Sequence, residues 1–156
     1  MKPKLKVYLD STIPNYAFNK HTPEKQQAAL GLFNLINKNK VKAFISQVVV
    51  NEISNTPDVK KRQQILKILE NCHILKLNLK TYNLAQTYVK KKIIPVKNFD
   101  DAQHIAIATI YKLNALISYN FEHIIRLKTV KAINQLNKQL GYQEINLVIP
   151  EVILND

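Results

Sequence analysis

Short apolar runs alternate with longer amphipathic stretches along this 156-residue chain, and the alternation restricts the possible folds more than any other feature. Strands separated by helices of ten or more residues usually pair in parallel, because the helix carries the chain back to its starting edge of the sheet. The pattern therefore predicts an α/β fold with a mostly parallel sheet that helices cover on both faces. The predicted strands are residues 5–10, 41–45, 73–77, 115–118 and 147–149, and the predicted helices are residues 24–37, 47–55, 61–71, 79–91, 99–113 and 130–140.

The chain has no internal repeat and no linker rich in Gly, Ser or Pro, so we expect one domain over residues 1–156. No segment has the length of a membrane span, and we expect no membrane partner. Cys72 is the only cysteine, which excludes an intrachain disulfide and favours the reducing cytoplasm. The formal net charge of +12 favours binding of nucleic acid or of an acidic protein, although solubility alone would also explain it.

Three acidic residues lie at predicted buried elements, where an unpaired carboxylate is costly. Asp10 ends the first strand, Glu52 follows the apolar run 48–50 in a helix, and Asp101 opens another helix. Ligands of parallel sheets bind beyond the carboxyl ends of the strands, so these acids and Asn120, after the fourth strand, could converge there. Oxygen ligands without a Cys or His cluster favour Mg²⁺ or Mn²⁺ over zinc. In a basic chain, such a site suits cleavage of a polyanion.

Each of these candidates also has an ordinary structural explanation. Asp10 would cap a following helical turn, and Glu52 would lie at the border of an amphipathic helix. The negative charges of Asp100 and Asp101 would simply stabilise the N-terminal, positive end of a helix dipole. We prefer this explanation for Asp100. Asn120 would be a turn residue, a role that Asn often fills.

The remaining polar residues near the candidate site are assigned supporting roles. We expect hydroxyl or backbone donors from Ser11 or Thr12 and from Ser118. We interpret His104 and His123 as core histidines with satisfied hydrogen bonds rather than as metal ligands. Three basic runs could contact phosphates, although each alone is typical of a solvated face; they are residues 38–42, 60–62 and 90–92.

Four short motifs lie in the same order and spacing as those of a known family. They are residues 8–13 (YLDSTI), 50–53 (VNEI), 101–108 (DAQHIAIA) and 117–124 (ISYNFEHI). Over about residues 5–150 the chain resembles PIN-domain ribonucleases of the VapC-like toxin type, and the third and fourth motifs together are the most specific part. The resemblance implies a three-layer α/β/α sandwich with a central, mostly parallel sheet.

The resemblance also implies an activity, a cofactor and partners. It implies Mg²⁺- or Mn²⁺-dependent cleavage of RNA, with Asp10, Glu52 and Asp101 at the acidic positions of the family. Many members carry a fourth acid where this chain has Asn120, and we include Asn120 among the catalytic residues. Because asparagine is neutral, the site has one negative charge fewer than in those members, which bears on whether a second metal ion binds. Toxins of this type are usually neutralised by a small cognate antitoxin and often form homodimers.

The sequence leads us to expect a metal-dependent endoribonuclease, the toxin of a type II toxin–antitoxin pair. One alternative is a catalytically weak or inactive RNA-binding or regulatory module on the same fold, which Asn120 would suit. A third class, phosphatases and receiver-like proteins, also places an Asp after the first strand. That class is disfavoured because Ser11 and Thr12 follow Asp10 where a phosphatase would carry a second acid.

Overall fold

The computed structural model describes residues 3–155, and a five-stranded sheet forms its centre. The strands are β1 (Leu5–Leu9), β2 (Val41–Ser46), β3 (His73–Leu75), β4 (Ala115–Ile117) and β5 (Asn146–Val148). Their order across the sheet is β3-β2-β1-β4-β5, and every neighbouring pair is parallel. The predicted parallel α/β class is confirmed, and each predicted strand is present.

The helices complete a three-layer α/β/α sandwich around this sheet. They are α1 (Thr12–Tyr16), α2 (Pro23–Asn37), α3 (Gln47–Ser54), α4 (Val59–Ile68), α5 (Leu79–Lys90), α6 (Phe99–Ile110), α7 (Leu127–Gln139) and α8 (Pro150–Leu154). The sequence did not predict α1 or α8, and α7 begins three residues before its predicted start. Within residues 3–155, none of these helices is both long and apolar enough to cross a bilayer.

The junction between β2 and α3 determines where Glu52 lies. Ser46 ends the strand in an extended conformation, and its hydroxyl accepts a hydrogen bond from the Val48 amide at 3.2 Å. A side-chain oxygen at this position satisfies a free amide of the first helical turn, so α3 starts directly after the strand. As a result, Glu52 in the second turn of α3 stays near the carboxyl edge of the sheet.

The register of β1 and β4 brings two of the predicted motifs together. Leu9 pairs with Ile117, so the next residues, Asp10 and Ser118, leave the sheet side by side. Helix α6 packs in the core beside these strands, and its small side chains allow the close approach that the sequence predicted. The buried residues of α6 are Ala102, His104, Ile105, Ala106, Ile107, Ala108 and Thr109.

Candidate functional site

Asp10 is buried at the carboxyl end of β1, with only 2 % of its surface exposed. Its Oδ1 accepts hydrogen bonds from the Thr12 amide at 3.1 Å and the Thr12 hydroxyl at 2.5 Å, and its Oδ2 accepts one from the Ser118 hydroxyl at 2.5 Å. The expected hydroxyl donors are therefore Thr12 and Ser118. The N-cap residue of α1 is Ser11 rather than Asp10, although Oδ1 of Asp10 does bind the first amide of that helix. These bonds hold the Asp10 carboxylate in one orientation.

Asn120 lies in the turn that follows β4 and shapes that turn. Its backbone N–H donates to the Ser118 hydroxyl at 2.8 Å, and its side-chain Oδ1 accepts a hydrogen bond from the His123 backbone N–H at 2.9 Å. The Tyr119 amide donates to the Thr12 hydroxyl at 2.9 Å, which ties the turn to the loop after β1. Asn120 thus acts as the turn residue that its ordinary explanation predicted, beside the carboxylate of Asp10.

His104 is the buried centre of the site, with 1 % of its surface exposed. Its Nδ1 lies 2.7 Å from the Tyr8 hydroxyl, which in turn lies 2.8 Å from the Ser46 hydroxyl. Its Nε2 donates to Oε1 of Glu52 at 2.8 Å. His104 therefore has both ring nitrogens satisfied, and its interpretation as a core histidine is confirmed.

Two members of this network were missed by the sequence reasoning, namely Tyr8 and Ser46 as partners in the hydrogen-bond chain to His104. A signal for Tyr8 was available, because residues two apart on a strand point to the same face, and Asp10 follows two residues later. Glu52 and His104 are 52 positions apart in sequence and lie on different helices, so no local pattern predicts their contact.

Asp101 lies in the first turn of α6 and is half-buried, whereas its neighbour Asp100 is exposed. The exposed position of Asp100 fits its interpretation as a charge that favours the helix N-terminus. Burial raises the pKa of Asp101, while the nearby His104, an Asn120 hydrogen bond and His123 act against that rise. Asp101 and Asn120 are thus brought together, as the sequence predicted.

Burial and charge act in opposite directions on the other titratable groups. Burial raises the pKa of Asp10, although the charge of His104 and the hydrogen bonds from Ser118 and Thr12 partly offset this. Burial alone would lower the pKa of His104, but its hydrogen bond to Glu52 and the charges of Glu52, Asp10 and Asp101 raise it overall. The three predicted acids therefore all act on one buried imidazole.

The donor set fits a hydrated Mg²⁺ or Mn²⁺ ion better than a fully enclosed metal. Among residues 3–155, no group of three or more His, Cys, Asp or Glu side chains is arranged to hold a metal ion. However, Mg²⁺ keeps several waters and needs only one or two protein carboxylates in addition to substrate phosphates. Asp10 and Asp101 supply hard oxygen ligands, and burial disfavours the negative charge of both carboxylates. A bound cation would offset this cost by pairing with the two charges.

Comparison with known proteins gives a likeness in structure only. No family model matches the sequence, and no curated protein is significantly similar to it. VapBC2 from Rickettsia felis, bound to a DNA fragment from its promoter, matches with a TM-score of 0.58 and 20 % identity, over 92 % of this chain and 97 % of that chain. DNA-bound VapBC from Salmonella typhimurium matches with a TM-score of 0.58 and 13 % identity, over 92 % and 96 %. VapBC-1 from nontypeable Haemophilus influenzae matches with a TM-score of 0.56 and 14 % identity, over 94 % of this chain and 99 % of that chain.

These matches cover nearly the full length of both chains, so the likeness extends over the entire fold. The chain therefore has the VapC-like PIN fold to which its motifs are similar.

Proposed function

We propose that the protein is a metal-dependent endoribonuclease that hydrolyses phosphodiester bonds of RNA and is the toxin of a type II toxin–antitoxin pair. The observation that carries the proposal is the position of Asp10, Glu52 and Asp101 around His104, at the edge where parallel sheets bind ligands. The net charge of the whole chain, which is +12 even with these three acids included, would attract RNA.

In this proposal, Asp10, Glu52 and Asp101 would hold a hydrated Mg²⁺ or Mn²⁺, one or two of these carboxylates directly and the rest through water or substrate phosphate, and Asn120 completes the catalytic residues. A bound ion of this kind lowers the pKa of an attacking water and stabilises charge on phosphate oxygens. The chain's own contribution is orientation. The hydroxyls that bind Asp10 fix its carboxylate, and the His104 imidazole fixes Glu52 in the way that hydrogen-bonded neighbours orient metal-binding carboxylates.

The proposed partners are RNA, a small cognate antitoxin and a second copy of the chain in a homodimer. The antitoxin is supported by the structural neighbours, which are toxin–antitoxin complexes. The proposed setting is the cytoplasm, which agrees with the single cysteine. The proposed organisation is one domain over residues 1–156.

A second candidate function is a catalytically weak or inactive RNA-binding module. Two observations favour it. Asn120 stands where many PIN-domain members carry an acid, and its Oδ1 is already engaged by the His123 amide. Glu52 is similarly engaged by His104, which leaves this carboxylate less available to an ion.

The first experiment is cleavage of a labelled RNA mixture in Mg²⁺ or Mn²⁺ by the wild type, Asp101→Asn and Asp100→Asn. The two variants make the same chemical change at adjacent positions of one helical turn, and only Asp101 lies in the site. We expect loss of cleavage for Asp101→Asn and normal cleavage for Asp100→Asn, with both proteins folded by circular dichroism.

Each other outcome has a distinct meaning. Binding of RNA without cleavage by the wild type in either metal would favour the binding module. Equal cleavage by all three proteins would contradict the assignment of Asp101 to the site.

A further inference from the structure

A concave, positively charged surface lies next to the turn that carries Asn120. It is a cleft of about 410 Å³ between the end of α5 and the start of α7, which we call the basic cleft. Its cationic lining consists of Lys91 and Lys92 on one side and Arg126 and Lys128 on the other, with His123 also in its wall. The basic run 90–92 that the sequence singled out therefore borders a defined cleft.

His123 connects the basic cleft with the carboxylate site. Its side chain lines the cleft, and its amide donates to Oδ1 of Asn120 at 2.9 Å. Its charge also acts on Asp101. A chain-like ligand that leaves the carboxylates past Asn120 would therefore enter the basic cleft directly.

The cations of the basic cleft are not neutralised by the protein itself. Within residues 3–155 both ion pairs join a histidine to a glutamate, and no Lys or Arg is paired with a carboxylate. The carboxylate that lines the cleft belongs to Glu122, which lies 3.5 Å from His123 and is largely exposed. Arg126 is held in place by donating to the Glu122 carbonyl at 3.2 Å. Such a concentration of unpaired positive charge fits a polyanion.

We propose that the basic cleft binds backbone phosphates of single-stranded RNA next to the bond that is cut at the carboxylate site. This inference rests on the proposed function, because it assigns the path of the same substrate. Lys91 and Lys92 contact phosphates from the α5 side, and Arg126 and Lys128 contact them from the α7 side.

An exposed aromatic residue favours RNA over an acidic peptide as the ligand. Phe121 lies between Asn120 and the cleft residue Glu122 in sequence, and 48 % of its surface is exposed. The Lys25 ammonium lies 5.1 Å from the centre of its ring. Proteins that bind single strands combine a positively charged groove with aromatic rings on which bases stack, and an exposed ring next to a basic cleft matches that combination.

The test is binding of a fluorescent single-stranded RNA in EDTA, measured across a range of salt concentrations. The variant Lys91→Gln/Lys92→Gln removes two charges from the cleft. The control Lys4→Gln/Lys6→Gln removes two exposed charges at the start of β1, at the amino-terminal end of the parallel strands. Loss of two phosphate contacts lowers the slope of log K against log salt by about 1.4 and weakens binding about 25-fold at 0.1 M salt. We expect this for the cleft variant, while the control keeps the wild-type slope.

Lys128→Gln, on the facing helix, provides a second variant should the double variant fail to fold, and we expect it to lower the slope by about 0.7. Equal weakening by the cleft and control variants would overturn the proposal, because binding would then depend on total charge. The proposal also fails if the cleft variant binds RNA normally but loses an oligoglutamate peptide, since the cleft would then serve an acidic protein.

Because the binding is measured without metal, the result is separable from the proposed nuclease activity. Cleft-dependent RNA binding by a wild type that never cleaves would support the cleft and contradict the nuclease. Metal-dependent cleavage that needs Asp101, together with unchanged RNA binding by the cleft variants, would support the nuclease and overturn the cleft.

Discussion

Replacing Tyr8 with Phe removes one buried hydroxyl from the network around His104 while keeping the aromatic ring. This hydroxyl lies 2.7 Å from Nδ1 of His104 and 2.8 Å from the Ser46 hydroxyl. Ser46 keeps its second partner, the Val48 amide, but Nδ1 of His104 loses its hydrogen bond. A buried polar atom left unpaired costs about 1–3 kcal/mol, so we expect the free energy of unfolding to fall by about 2 kcal/mol.

Thermal unfolding followed by circular dichroism would measure this loss. For a chain of this size, 2 kcal/mol corresponds to a fall in Tm of about 4–8 °C. The His104 ring also loses one of its two anchors, so the position of Glu52 becomes less fixed. We therefore expect RNA cleavage to decrease at a temperature where the variant is still fully folded.

Tyr88→Phe is the matched control for this change. Tyr88 is also fully buried, and its hydroxyl donates to Asn137 at 2.6 Å, among helices α5, α6 and α7. We expect it to destabilise the protein similarly and to leave cleavage unchanged. The reasoning is refuted if Tyr8→Phe changes stability by less than about 0.5 kcal/mol, the usual scatter of neutral surface substitutions. It is also refuted if both variants lose the same activity.

Three further predictions concern pH, thiol chemistry and RNA stacking. The pKa of His104 is raised in the native state, so folded protein binds this proton more tightly than unfolded protein does. The free energy of unfolding of metal-free protein, measured by urea titration, should therefore fall as pH rises above about 6.5. Glu52→Gln should make this fall with pH less steep. Burial raises the pKa of Cys72 to about 12, so alkylation of this thiol at pH 8 should be about a thousandfold slower than that of a free thiol. The alkylation rate should return to that of a free thiol in denaturant, and fast labelling of folded protein would contradict the burial of Cys72. Phe121→Ala should weaken binding of single-stranded RNA by about 1–3 kcal/mol, whereas Leu140→Ala, at the same 48 % exposure, should not; equal effects would exclude stacking.

The sheet could be predicted from the sequence because each strand is a short apolar run bounded by helix-forming segments. The two missed helices, α1 and α8, have five residues each, which is too short for a 3.6-residue period to become visible. The start of α7 was predicted too late because Leu127 is exposed and its first turn shows no apolar periodicity. Tertiary contacts determine such short or exposed turns more than local pattern does.

The candidate site was predictable to the extent that it follows from strand ends. Asp10 and the turn at Asn120 follow neighbouring parallel strands, so their meeting follows from the topology. The link from Glu52 to His104 does not, because it depends on how α3 and α6 pack against each other. The sequence predicted a metal-binding acid at Glu52 and a separate core histidine at His104, and the structure joins these two residues.

The charges of the site favour one divalent ion rather than two. Asp10, Glu52 and Asp101 bring three negative charges, and a protonated His104 cancels at most one of them. The remaining two match one Mg²⁺ or Mn²⁺, whereas a fourth carboxylate in place of Asn120 would leave a third charge for a second ion. Calorimetric titration with Mn²⁺ should therefore saturate at about one ion per chain. Asn120→Asp, whose carboxylate can still accept the His123 amide, should bind more tightly or take up a second ion. Two ions bound by the wild type without RNA would contradict this charge balance.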